Sequence, residues 1–140
     1  MFNVRVYGLL INDKNQILIS DEIIRGNLYT KFPGGGLEFG EGPIQCLKRE
    51  FKEEMNIKIE VGDHFYTTGI YQQSAFNPND QIISIYYYVS CDEPFDLAAI
   101  NSEEGKSECF RFIDLSEISE EKMSLPIDKI VAGLLSKKEK

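Results

Sequence analysis

Short apolar runs alternate with polar punctuation from the first residues: FNVRVYGLLI, then NDKN, then QILIS. Two apolar runs flanking turn-forming residues predict two strands joined as a β-hairpin. IRGNLYTKF follows, and then PGGGLEFGEGP, whose five glycines and two prolines in eleven residues predict a loop without regular structure. At Pro43 the period changes. Ile44, Leu47, Phe51 and Met55 recur at helical spacing, so a helix is expected over about residues 43–55, with Pro43 at its first position and Asn56 as a left-handed cap. Farther along, IKIEV, HFYTTGIY, QIISIYYYVSC and ECFRFIDL read as strands, separated in part by the polar connections QQSAFNPND and NSEEGKS. LPIDKIVAGLLSKK predicts a second helix with Ile127, Ile130, Val131, Leu134 and Leu135 on its apolar face. Its Asp128 comes early, and Lys137 and Lys138 late, as the helix dipole prefers. This order of elements predicts an α/β fold with a mixed β-sheet and a helix on each face, in one domain over residues 1–140.

Charge narrows the partners. The 23 acidic and 15 basic residues give a net charge of −8, which argues against sequence-independent binding of a nucleic-acid polymer and leaves a small anionic ligand held through metal ions. The start of the chain lacks the pattern of a secretory signal, and no run reaches the length of a membrane helix, so a soluble, cytoplasmic protein is expected. Cys46, Cys91 and Cys109 are odd in number, show no CxxC spacing and accompany one histidine, His64, so free thiols are expected rather than a disulfide framework or a zinc site. Exposed edge strands leave a homodimer open.

REFKEEMN, residues 49–56, poses the chemical question. On a helix, Glu50, Glu53 and Glu54 crowd one flank near the C-terminal end, where like-charge pairs cost roughly 0.2–0.5 kcal/mol each and the dipole disfavours anions. Drawn as a wheel from Ile44, the three carboxylates span an arc of about 100° beside the apolar stripe, with Glu53 almost opposite Ile44. Such an arc presents several oxygens to one small volume, which suits a hard divalent cation. Arg49 lies one turn before Glu53 and can hold that carboxylate in one orientation. Gly34, Gly35 and Gly36 precede the helix, and their backbone can approach a metal or phosphate with no side chain in the way.

The pattern Gly35-x5-Glu41-x7-Arg49-Glu50-Phe51-x-Glu53-Glu54-x-Asn56-Ile57 resembles the Nudix box, G-x5-E-x7-R-E-U-x-E-E-x-G-U, where U is a bulky apolar residue. Its one departure is Asn56 in place of Gly, and Asn is the next best residue for a left-handed cap. The flanking strand order also resembles the Nudix α/β/α sandwich. The resemblance implies hydrolysis of a nucleoside diphosphate linked to another moiety, with Mg²⁺ or Mn²⁺ bound by Glu50, Glu53 and Glu54. It further implies that Arg49 orients one of these carboxylates and that Glu41 braces the loop. In some relatives a late-loop glutamate serves as a further ligand or base, and Glu103 and Glu104 are the candidates. Within the box, Glu53 is taken as the base.

Blander roles are weighed beside these. His64 reads as an ordinary strand residue. Cys46 falls on the acidic side of the wheel, in a place that wants a small side chain, and nothing nearby activates its thiol. Among Tyr86, Tyr87 and Tyr88, alternation points at least one to the core, and Tyr29, Phe39 or Phe76 are further candidates to stack on a base. A catalytically weak nucleotide sensor of the same fold is the alternative to an enzyme, and such a sensor would be expected to have lost one of the three glutamates.

Overall fold

The computed structural model describes residues 1–139, Glu139 by its backbone alone; Lys140, the last residue of the expected domain, lies outside the described residues. In chain order the elements are β1 (Phe2–Leu10), β2 (Gln16–Ile24), β3 (Asn27–Lys31), β4 (Gly34–Gly36), α1 (Pro43–Met55), β5 (Glu60–Thr67), β6 (Gln81–Ser90), α2 (Leu97–Asn101), β7 (Glu108–Asp114) and α3 (Pro126–Glu139), with single 3₁₀ turns at Leu115–Glu117 and Glu120–Lys122. They form a mixed α/β fold with a helix on each side, and the mixed sheet is divided in two. A four-stranded sheet runs β4-β1-β6-β5, with β1 and β6 parallel, and a three-stranded antiparallel sheet runs β3-β2-β7.

That division corrects the expected first hairpin. Beyond the single bridge Ile11 to Ile17, β1 and β2 form no ladder with each other, because β1 is already bonded to β4 and β6, and β2 to β3 and β7. The tight hairpin lies one step later. Between β2 and β3, Arg25 and Gly26 both take positive φ, 51° and 82°, as a two-residue primed turn requires. IKIEV and HFYTTGIY likewise resolve into one strand, β5, which starts at Glu60 and is irregular in register around His64. Ile57 and Ile59 are buried as core residues of the connection before it.

Both faces of β1 are covered, which is why its apolar run is continuous from Val6 to Leu10 but for Gly8. Val6 and Leu10 join Leu47, Phe51 and Met55 of α1, whereas Tyr7 and Leu9 join Val131 and Leu135 of α3. Gly8 is the seat for α1, since a Cβ there would come within 2.8 Å of the Phe51 ring. On α3, Leu134 is exposed and Ala132 takes its place in the buried face.

Candidate active site

α1 begins at Gly42, whose N–H is accepted by the Gln45 side chain (2.7 Å), and ends at Asn56 with φ 55° and ψ 37°, its N–H donating to the Lys52 carbonyl. The expected bounds and left-handed cap are therefore present. The buried arc is rotated from the expected one. Ile44 is 46% exposed, while Cys46, expected on the acidic side, is fully buried. There its thiol approaches the Gly36 carbonyl at 3.5 Å, and burial first, then the Glu41 carboxylate, pushes it up to about 12, so it stays protonated and inert. The same rotation carries Glu50 and Glu54 toward the core and leaves Glu53 at the surface.

The glycines form a strand, not a loop. β4 pairs with β1 through Gly34, Gly35 and Gly36, and its lack of side chains is what admits the helix. A Cβ on Gly35 would overlap the Glu50 carboxylate, and one on Gly34 would overlap the Val6 carbonyl. Arg49 then ties strand, loop and helix together. Its Nε and one terminal nitrogen grip Glu41 as a fork at 3.0 and 2.7 Å, and that second nitrogen also donates to the Gly36 carbonyl at 3.0 Å. The other terminal nitrogen donates to Glu50 at 2.9 Å and Glu53 at 3.1 Å. This fork holds the Glu41 carboxyl well below the usual carboxylate range, and Glu41 in turn accepts the Glu38 N–H at 3.0 Å. At the helix end, Lys106 donates to the Glu54 carbonyl at 2.6 Å, a cation where the dipole is negative.

Glu54 is the unsettled member. One of its oxygens, Oε2, is buried and has no hydrogen-bond partner among the described residues. Burial first, then the charge of Glu108, pushes its carboxyl well above the usual range. Glu108, at the start of β7, is held by the Ser20 hydroxyl (2.5 Å) and by the ammonium of Lys31 (2.8 Å), which also pairs with Glu22 at 3.2 Å. Lys31 is only 5% exposed; burial alone would disfavour its charge, and the Glu108 carboxylate outweighs that and holds it. No three His, Cys, Asp or Glu side chains among the described residues form a ready metal-ligating group. Arg49 takes Glu50 and Glu53, and Lys31 takes Glu108. A divalent cation nonetheless fits this donor set, because Glu54 brings a buried carboxylate oxygen with no partner among the described residues into the field of Glu108 and Glu50.

Next to this cluster, between the two sheets, lies a cavity of ≈ 250 Å³. Arg5 and Lys31 line it and lie within the field of Glu54, Phe76 contributes from the loop before β6, and Tyr7, Tyr86 and Asp128 also line it. The Tyr7 and Tyr86 rings stack at 5.1 Å, and Arg5 Nε donates to the Tyr7 hydroxyl at 2.7 Å. Asp128 is 1% exposed; its Oδ1 accepts the Tyr86 hydroxyl at 2.5 Å, while Oδ2 has no partner among the described residues. Burial pushes the Asp128 carboxyl up to about 6.

The NUDIX domain family matches residues 1–134. This chain belongs to the Nudix family. An 8-oxo-dGTP diphosphatase from Escherichia coli (strain K12) is 29% identical over 84 residues, covering 59% of this chain and 60% of the relative. Its Haemophilus influenzae counterpart is 31% identical over 94 residues, covering 63% and 64%. The matches thus span somewhat under two thirds of these curated relatives. An RNA pyrophosphohydrolase from Acinetobacter baylyi is 41% identical over 59 residues, covering 42% of this chain and 34% of the relative. In fold, a NUDIX hydrolase from Nitrosomonas europaea superposes with a TM-score of 0.72 at 22% identity, over 94% of this chain and 86% of that one. The MutT protein from Methanosarcina mazei Go1 gives 0.74 at 17%, over 99% and 96%.

Within this Nudix chain, Gly36, Glu41, Glu50 and Glu53 come together around the Arg49 guanidinium, with Gly35 against the Glu50 carboxylate and Glu54 on the inner side of the helix. Of the late-loop candidates, Glu103 lines one pocket with Glu53, Glu54 and Lys106. Glu103 pairs with Lys106 at 2.8 Å and Glu104 is exposed, whereas Glu108 is the late acid whose charge reaches Glu54. In the sequence Glu108 reads only as the acidic first residue of a strand, and its place beside Glu54 follows from the pairing of β7 with β2, which local pattern does not carry. Asp128 and Lys31 were missed for a plainer reason. An early aspartate on a helix is what the dipole prefers anyway, and a lysine beside a loop is ordinarily solvated. Of the aromatic candidates, Phe76 reaches the cavity and Tyr29 supports it edge-on at 5.3 Å, while Phe39 stands fully in solvent.

Proposed function

We propose that this chain is a Nudix-type pyrophosphohydrolase, dependent on Mg²⁺ or Mn²⁺, that cleaves a small nucleoside diphosphate derivative. The observation that carries this reading is the buried Glu54 carboxylate oxygen, which has no partner among the described residues and lies in the field of Glu108 and Glu50. Glu50, Glu53 and Glu54 would hold the cation, with Arg49 as their positioning residue and Glu41 bracing the loop. A bound divalent ion supplies neutralisation of pyrophosphate charge and activation of water. Glu53, the most exposed of the three at 60%, has open access to solvent and takes the proton from the attacking water. Gly35 leaves room for this, since a Cβ there would fall on the Glu50 carboxylate, and Gly34 and Gly36 continue the same side-chain-free strand.

The cavity supports the nucleotide class. At ≈ 250 Å³ it lies below the roughly 300–1,000 Å³ of pockets that enclose a whole drug-sized ligand, so it suits a planar base with the phosphates outside it. Arg5 and Lys31 stand where those phosphates would leave the cavity for the acidic cluster. The two 8-oxo-dGTP diphosphatase relatives support a nucleoside triphosphate, and the charge of −8 favours a small nucleotide over an RNA end. We read residues 1–140 as one such domain. Free Cys46, Cys91 and Cys109 support a reducing, cytoplasmic setting, and open edges at β3 and β5 keep a homodimer available. No helix among the described residues is long and apolar enough to cross a membrane.

Product analysis over oxidised and ordinary nucleoside triphosphates, nucleotide sugars, ADP-ribose and dinucleoside polyphosphates, with Mg²⁺ or Mn²⁺, tests the reading. Glu53→Gln is expected to lower turnover at least ~100-fold while the protein stays folded. Metal-dependent nucleotide binding with no product from any substrate would favour the sensor instead.

A further inference from the structure

The acidic set is shared between two internal cations. Arg49 serves Glu41, Glu50 and Glu53 on the outer side of α1, and Lys31 serves Glu22 and Glu108 on the inner side, leaving Glu54 between them with one oxygen unmet among the described residues. Lys31 is an unusual choice for that place. It is the last residue of β3, its Cα opposite Ser20 of β2, and both Lys31 and the Ser20 hydroxyl converge on the same oxygen of Glu108. Nearly complete burial costs an ammonium its hydration, so a lysine there is retained only while carboxylates surround it. We propose that Lys31 is a fixed counter-cation that holds Glu108 beside Glu54 and sets how tightly the acidic cluster binds a divalent ion. This inference rests on the metal-binding role argued above for α1, and it adds a positioning residue outside the box.

The reasoning is electrostatic. While Lys31 is present, Glu108 has two donors on one oxygen and its charge is largely spent, so a divalent ion arriving at Glu54 meets a nearby ammonium of like sign. Without Lys31 the same carboxylates carry one more uncompensated charge, and a divalent ion is the species that neutralises it. Lys31→Met should therefore lose thermal stability in chelator and regain more of it on adding Mn²⁺ than the wild type gains, and should bind Mn²⁺ at least ~10-fold more tightly. Lys31→Arg, which keeps the charge, should stay within about 3-fold of wild type. Glu108→Gln should bind Mn²⁺ more weakly. Manganese binding followed by electron paramagnetic resonance, beside melting curves with and without the ion, reads all four proteins with no substrate present. A Lys31→Met protein that binds Mn²⁺ no more tightly than wild type overturns the proposal. Should that variant fold only with Mn²⁺ the proposal is supported, and should it not fold at all, wild-type affinity in Glu108→Gln overturns it. Failure of the wild type itself to bind Mn²⁺ removes the underlying metal-site reading and this inference with it.

Discussion

Asp128 carries two messages at once: it sits in the first turn of α3, and it is a buried acid with one oxygen unmatched among the described residues. Burial raises its carboxyl from 3.8 to about 6, against the pull of the Tyr86 hydroxyl, Lys31 and Arg5. The sign follows from which state holds the proton. Below the ordinary value both folded and unfolded chains are protonated and the group costs nothing; as pH rises through the interval up to about 6, the unfolded chain ionises more readily and stability falls. Melting temperatures of wild type and Asp128→Asn from pH 3.5 to 7.5 should therefore converge or cross between roughly pH 4 and 6 and run parallel above it, because the amide has no such dependence. A constant difference across the whole range would mean that Asp128 is not a buried acid. In the sequence this residue was invisible as such. Its identity matched a helix-dipole pattern, and only the fold reveals that the first turn of α3 is pressed against Tyr86.

The helix α1 was legible almost to the residue, because its Pro43 start, apolar recurrence and Asn56 cap all act locally. Its rotation was not legible. Ile44 and Cys46 exchanged roles because β4 is made of glycines and offers a flat backbone surface that a small thiol fits, a fact about a neighbouring strand that helical periodicity does not contain. The glycine run itself predicts a loop, since glycine disfavours strands; pairing with β1 overrides that preference. Two changes test the seat of this helix by chemical denaturation. Phe51→Ala, which empties the position against Gly8, should cost about 3–5 kcal/mol. Asn56→Gly should leave stability unchanged or raise it by up to ~1 kcal/mol, as expected if the cap residue is held at φ 55° with mild strain. A marked loss in Asn56→Gly would show that the asparagine side chain is needed.

For the molecule as a whole, strand content and helix positions followed from periodicity, while the splitting of the sheet did not, because pairing partners such as β1 with β6 lie far apart in sequence. That split is what opens the cavity between the two sheets and places the Tyr7, Tyr86 and Phe76 rings around it beside Arg5 and Lys31. Metal-dependent hydrolysis requires the carboxylates of α1 to be a cation site and not a solvated helix face. Titrating Mn²⁺ into the chelator-treated protein and into Glu54→Gln, with bound metal read by electron paramagnetic resonance, tests this most directly. Saturable binding in the wild type that weakens at least ~10-fold in the variant is the result predicted. Equal binding in the two proteins, or none in the wild type, would contradict it.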